Sequence, residues 1–394
     1  MIKPAIVTVG YNRPHLMKRL LESIGRAHFD CDDIPLVISI DESNRSNEVE
    51  KVAQEFQWNH GTKEIRRFPE RQGLRKHIVQ CGDYSEKYGA VIILEDDLIV
   101  SEDFYGYVCQ AHEKYGADER ICGVALYSPM RNQFPNYSFA PIPTPYDAYL
   151  GGMVVTWGQS WNAQQWSKFK TWYFAHEDKL PTVNHAIPEE ISGWTRSWGR
   201  YFVSYMAEND LSYIYPYVAH TTCFAEIGEH SVNAIPISGA QVPLMTGRKV
   251  YNFGDYERLP RYDSFYERVL GDDTMIDGIP GSQICMDLSN MKHNTLGKKY
   301  LISASELPYP KRASFGLALK PVEVNVLQAM PGNAFHLYEL SDPGSDIRPA
   351  KKRTYQYALD YRRLRYEHAD MSLRTAVYYS VKQFFLSLKA KLGK

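Results

Sequence analysis

The chain has 394 residues, 44% apolar and 23% charged, proportions of an ordinary globular protein of two or three units with a sizeable core. The net charge of -1 gives no overall pull toward nucleic acid, and none of the six cysteines forms a CxxC pair, which excludes a zinc-knuckle spacing. No run of about 18 apolar residues is present to span a membrane, and Met1-Ile2-Lys3-Pro4-Ala5 leads straight into a strand without a signal-peptide core. The expectation is a cytoplasmic protein with free thiols, peripheral at most to the inner membrane face.

The first 126 residues alternate between strand and helix patterns. Ala5–Gly10 reads as a strand and Pro14–Ala27 as a helix with Leu16, Leu20, Leu21 and Ile24 on one face. Pro35–Ile40 is a strand ending at Asp41, Asn47–Phe56 a short helix and Glu64–Phe68 a weak strand. Leu74–Tyr88 reads as one helix, Gly89–Leu94 as a strand, Asp103–Tyr115 as a helix and Ile121–Leu126 as a strand. Strands separated by helices predict βαβ units, an α/β fold and a mainly parallel sheet.

Val91-Ile92-Ile93-Leu94 runs directly into Glu95-Asp96-Asp97. Three carboxylates at a buried strand end need a counter-charge or water. Two readings stay open: a solvated acidic turn, or a divalent-metal site at the carboxyl edge of the sheet, where α/β folds bind ligands. Val7-Thr8-Val9-Gly10-Tyr11-Asn12-Arg13-Pro14 is a strand, a polar turn and a helix start. Exposed amides there suit a nucleotide, and Arg13 is placed to reach a phosphate.

The rhythm changes from about Ser128. Five prolines between Pro129 and Pro145 predict a loop, and six of the seven tryptophans then fall between Trp157 and Trp198. Indole rings either fill a core or stack on the C–H faces of sugars. Leu211–Val218 reads as a strand. Gly228 to about Asn290 is rich in Gly, Pro and Asp and predicts long loops, while 291–349 yields no assignment. Between Lys351 and Lys394 eleven basic residues face three acids, a local charge of +8. The last helix pattern sets Leu373, Val377, Val381, Phe384, Phe385, Leu388 and Leu392 opposite lysines. Such a face packs on the protein's own body or lies on an anionic membrane through 371–394.

In order, the Arg13 turn, Asp41 at a strand end, the Gly73-Leu74-Arg75-Lys76-His77 helix start and Glu95-Asp96-Asp97 resemble the donor half of a GT-A glycosyltransferase. The opening resembles the "NRP…L…L…S" start of family 2 enzymes. The stretch Glu95–Tyr107 is similar to the metal-binding "EDD" region of the N-acetylglucosaminyltransferase I family, and the likeness covers roughly residues 4–232.

The resemblance implies a GT-A (Rossmann-like) sheet with helices on both faces; the sequence after it reads as an irregular region and a basic amphipathic C-terminal helix. The resemblance divides its span into a nucleotide-sugar half (1–127) and an acceptor-side half (128–235), and the composition beyond reads as a loop-rich extension (236–350) and a helical tail (351–394). The resemblance also implies a Mn2+ or Mg2+ cofactor, a nucleotide-sugar donor, a glycan or glycolipid acceptor and no nucleic-acid partner. Asp97 would bind the metal; Asp96, Glu95, Asp41 and Arg13 would hold the donor, with Arg75 or His77 nearby. His230 would complete the metal shell, and Trp157, Trp161, Trp194 and Trp198 would face the acceptor. The family's base lies between the residues matching Trp194 and Trp198, but this chain has Thr195, Arg196 and Ser197 there. Glu189 and Glu190 are the nearest substitutes. A sugar-nucleotide pyrophosphorylase is disfavoured because Gly10–Pro14 lacks that class's glycines, and a catalytically inactive glycan-binding scaffold is disfavoured by the intact acids.

Overall fold

The computed structural model describes residues 2–181, 184–224, 241–344 and 346–347, with single positions between 363 and 382. The chain divides into two compact units. One takes Met1–Phe134, Phe139–Ala225 and Ile237–Val269; the other takes Pro135–Ser138, Glu226–Pro236 and Leu270–Lys394.

The first unit begins with β1 (Ala5–Gly10), α1 (Pro14–Gly25), β2 (Leu36–Ile40), α2 (Ser46–Glu55) and β3 (Lys63–Arg67). It continues through α3 (Leu74–Gly82), α4 (Tyr84–Tyr88), β4 (Ala90–Glu95), β5 (Leu98–Val100), α5 (Phe104–Tyr115), β6 (Ile121–Ala125) and β7 (Arg131–Asn132). After β8 (Tyr137–Ser138), which belongs to the second unit, come β9 (Ala148–Gly151), β10 (Gln159–Asn162), α6 (Ala163–His176), α7 (Glu189–Ser192) and α8 (Trp198–Glu208). β11 (Ser212–Pro216), β12 (Thr221–Cys223), β13 (Arg261–Tyr262) and β14 (Arg268–Val269) complete it.

Ten strands form one sheet in the order β14-β13-β9-β11-β6-β10-β4-β1-β2-β3. The run β4-β1-β2-β3 is parallel: β4, β1 and β2 are buried and rich in Val and Ile, while the edge strand β3, Lys-Glu-Ile-Arg-Arg, is only partly covered. β10 enters antiparallel to both β4 and β6. Leu20, Val49 and Val108 pack one face through α1, α2 and α5. Ile78, Phe169 and Phe202 pack the other through α3, α6 and α8. Pro14 opens α1, where its missing N–H has no intrahelical partner to lose. Asn162 and Gln165 form a capping box that starts α6.

The stretch read as one helix from Leu74 breaks at Asp83 into α3 and α4. At Gly82 the chain lies so close to the indole of Trp166 that a Cβ would stand 2.2 Å from it. Trp166 Nε1 donates to the Asp83 carboxylate at 2.9 Å, which fixes the joint.

The second unit holds a hairpin of β15 (Met275–Ile276) and β16 (Ile279–Pro280) and a four-stranded sheet. In that sheet β17 (Ile284–Asp287), β18 (Tyr300–Ser303), β20 (Phe335–Glu339) and β19 (Lys311–Phe315) are neighbours, with the short α9 (Val324–Leu327) preceding β20. Ile284, Met286, Ile302, Phe315, Phe335 and Leu337 form its core. Regular structure therefore stands where the sequence suggested loops or gave no assignment. Among the described residues no helix is long and apolar enough to cross a membrane. In the tail, Val377, Tyr378 and Val381 are exposed.

Candidate functional site

β1, β2 and β4 are adjacent and parallel, with Val9 opposite Glu95 and Gly10 opposite Ile40. Their carboxyl ends therefore bring the Tyr11–Arg13 turn, Asp41 and the Glu95–Asp97 triplet to one edge of the sheet. The ladder runs on past the strands, with the Asp41 N–H donating to Gly10 O at 2.9 Å and the Asp96 N–H to Val9 O at 3.1 Å.

Asp96 and Asp97 form the turn between β4 and β5. β5 is held by β12, Leu98 pairing with Cys223 and Val100 with Thr221. Just beyond, the Ser101 N–H donates to His220 O at 2.8 Å, and Ser101 Oγ bonds His220 Nδ1 at 2.8 Å. The acidic turn is thus braced on both sides by hydrogen-bonded backbone.

One guanidinium bridges the acids. Arg13 Nη2 donates to Asp96 Oδ1 and, at 3.2 Å, to Asp97 Oδ2, while Nε lies 3.4 Å from Asp96 Oδ2. Burial alone would depress the basicity of Arg13, but Asp96 and Asp97 outweigh it and hold the guanidinium charged. Burial pushes the Asp96 carboxyl up to about 6, against the opposing pull of Arg13. Glu95 is raised well above the carboxylate range by burial, then by Asp97 and Asp96, and its enclosed Oε1 has no hydrogen-bond partner. The cluster therefore holds more negative charge than its one guanidinium neutralises. The Cys223 thiol is pushed up to about 12 by burial, then by Asp97 and Glu95.

Asp41 is buried, and backbone amides take up its carboxylate. Oδ1 accepts from the Gln72 and Glu42 N–H groups at 2.7 and 2.9 Å, and Oδ2 from Gly73 N–H at 2.8 Å. Gly73 has φ +75 and ψ 153, a conformation open to glycine. Asp41 thereby shapes the Arg71–Gly73 loop, an arrangement beyond the direct donor contact expected of it. The Arg71 guanidinium lies 4.9 Å from the centre of the Tyr11 ring. Tyr11 and Arg71 therefore lie at this edge as candidates that sequence reasoning did not name; the signal was their position beside Arg13 and Gly73.

Other expectations need correction. His77 is buried, its Nε2 2.7 Å from Ser39 Oγ and its ring edge-on to Phe68. Burial keeps it neutral, with a pKa lowered to about 4. The α3 periodicity turns it into the sheet, so it belongs to the core and not to a donor surface. Arg75, on the same helix, reaches Tyr201 Oη at 2.9 Å and Asp178 at 3.5 Å.

Trp161 and Trp198 are likewise core residues. Trp161 is fully enclosed, donates to Tyr213 Oη, and packs 4.8 Å from Trp166 and 5.8 Å from Trp198. Neither ring has a face for a sugar. Trp157 and Trp194 are half-buried, lying against Tyr127 and Phe134. Glu189 and Glu190 are exposed on the one-turn helix α7. His230 lies outside the described residues. Among the described residues, no group of three or more His, Cys, Asp or Glu is arranged to hold a metal by itself.

Residues 5–170 match the family described as "Glycosyl transferase family 2". Among curated proteins no sequence match is found. Solved structures similar to the chain include S. aureus TarS 1-349 in complex with UDP-GlcNAc, at 11% identity and TM-score 0.37, covering 59% of this chain and 62% of that one. The mannosyltransferase PcManGT from Pyrobaculum calidifontis, in complex with GDP-Man and Mn2+, is similar at 12% identity and TM-score 0.30, covering 42% and 46%. A cytidylyltransferase from Leptospira borgpetersenii overlaps at 12% identity and TM-score 0.31, covering 53% and 73%. The chain thus spans less than two thirds of either transferase structure, and overlaps this small assign no residue roles. With the Arg13 turn and the strand-end acids inside the matched stretch, residues 5–170 are similar to family 2 glycosyl transferases, a match over less than half of the chain.

Proposed function

We propose that the chain transfers a sugar from a nucleotide-sugar donor, most simply a UDP-sugar, to a glycan or lipid-linked glycan, with inversion and with Mn2+ or Mg2+. The observation that carries this reading is the Arg13-bridged Asp96–Asp97 pair beside the unpartnered Glu95 oxygen at the sheet's carboxyl edge. The donor set fits a hard divalent ion. Such ions are held by one or two carboxylates plus substrate phosphates, so a complete protein cage is not required. When bound, the ion supplies charge neutralisation for the diphosphate and its departing nucleotide.

Asp97, with Asp96, would hold the ion. Tyr11 and Arg71 would offer a stacking plane and a positive charge to the nucleotide, on the loop that Asp41 shapes. Trp157 and Trp194 keep the surface that an acceptor sugar needs, and Glu189 or Glu190 remains the proposed base. A lipid-linked acceptor in surface polysaccharide assembly suits the basic tail, with Val377, Tyr378 and Val381 toward an anionic membrane.

Calorimetry with UDP-, GDP- and CMP-sugars, with and without Mn2+, tests the donor. Metal-dependent binding of one sugar nucleotide is expected, and its loss in Asp97→Ala. A panel that never binds would overturn the reading. Equal flotation of the full chain and of one ending before Met371 on anionic liposomes would remove the membrane role.

A further inference from the structure

Resting on that transferase reading, we infer that Arg13 is a place-holding cation for the divalent ion. It occupies Asp96 and Asp97 until a nucleoside diphosphate draws it off, so metal and donor are bound as a pair.

The geometry carries this. A single nitrogen, Arg13 Nη2, donates to both Asp96 and Asp97, a bridge that a metal shared by the two carboxylates would have to replace. A second cation set against the same oxygens would stand within a few ångströms of the guanidinium, and like charges that close repel strongly. The two aspartates outnumber the guanidinium, and Glu95 keeps an enclosed, unpartnered oxygen beside them, so oxygen ligands remain for a stronger cation once the arginine leaves.

Arg13 has a way out. Its side chain is 22% exposed, against 4% for Asp96. It is the N-cap residue of α1, a helix of twelve residues whose N-terminus favours anions. A diphosphate arriving there offers the planar guanidinium two oxygens to grip at once. Arg13 would then change sides, from neutralising the carboxylates to neutralising the phosphates, which frees Asp96 and Asp97, the residues that would hold the metal. By linkage, diphosphate must tighten metal binding by the factor by which metal tightens diphosphate binding.

The test is Mn2+ binding to the full chain at pH 8, read by the electron paramagnetic resonance of free Mn2+ and by calorimetry. It is run alone and with saturating UDP, and GDP in parallel. Wild type should bind Mn2+ weakly alone and tightly with a nucleotide. Arg13→Met, which keeps the stem and removes the charge, should bind Mn2+ alone at least tenfold more tightly. It should bind the nucleotide–Mn2+ pair more weakly, because the phosphate contact is lost. Arg13→Lys, whose point charge serves one carboxylate at a time, should fall between and decides the matter alone if Arg13→Met does not fold. Unchanged or weaker Mn2+ binding in the folded variants overturns the inference. If wild type binds Mn2+ and nucleotide jointly while the variants gain nothing, the transferase reading stands and only the inference falls. Absence of joint binding in wild type overturns both.

Discussion

Three backbone N–H groups converge on the Asp41 carboxylate, two of them from a loop about thirty residues further along the chain. The acid at the end of β2 was legible in the sequence, but its partners were not, because no local pattern announces a loop folding back onto a strand end. Asp41→Ala leaves these amides without an acceptor and is expected to cost about 1–3 kcal/mol. Hydrogen exchange at Gln72 and Gly73 should accelerate, and unchanged protection would remove the loop-shaping role. The tryptophans divide in the same way. Trp161→Ala should lose about 3–5 kcal/mol in denaturant unfolding, since it empties a fully enclosed site. Trp157→Ala, half-buried, should cost less stability and weaken acceptor binding more. Composition flagged both residues, but only register and packing tell which ring is fully enclosed.

At the scale of elements, the parallel strands and their helices were legible because their apolar runs are long and β-branched. β9 and β10 were not. β10 reads Gln-Ser-Trp-Asn, four buried residues without alternation, in a stretch dominated by tryptophans. β17 to β20 are four or five residues each, and Lys311 and Arg312 open β19 with two exposed charges. The break between α3 and α4 is a packing effect that periodicity cannot reveal, because Gly82 is set by Trp166 some eighty residues later. Gly82→Ala adds one methyl where no space exists. Although alanine favours helix, the crowding should win, with a loss of about 1–3 kcal/mol measured by chemical denaturation. A neutral or stabilising outcome would mean that Trp166 yields easily.

For the larger unit as a whole, acid stability follows from three buried neutral histidines. His77 and His112 are lowered to about 4 by burial, and His220 to about 3 by burial and then Lys249. Between about pH 6.5 and 4 the unfolded chain binds these protons and the folded chain does not. Each histidine therefore removes roughly 1.4 kcal/mol of stability per pH unit of acidification. Asp96 and Glu95 act oppositely, since their raised values let the folded state take up protons first. Three groups against one or two leave a net fall of roughly 1.4–3 kcal/mol per unit. Melting temperature should drop steadily across that window and less steeply in His112→Asn. An identical slope in that variant would show that His112 is not the group titrating.

The place of β10 bears on how the chain is made. Residues 159–162 form the strip that joins β4 to β6, although both of those strands leave the ribosome well before it. Until β10 arrives, β4 carries one open edge along its Val-Ile-Ile-Leu run and β6 has neither of its partners, since β11 comes later still, and such edges recruit wrong partners. A fragment ending at 127 would keep these edges permanently open and is expected to aggregate rather than fold. Slow, non-local closure of this kind favours chaperone contact during synthesis. The strand that completes the sheet's middle thus sets the earliest moment at which the β4 edge is covered, and β6 waits longer, for β11.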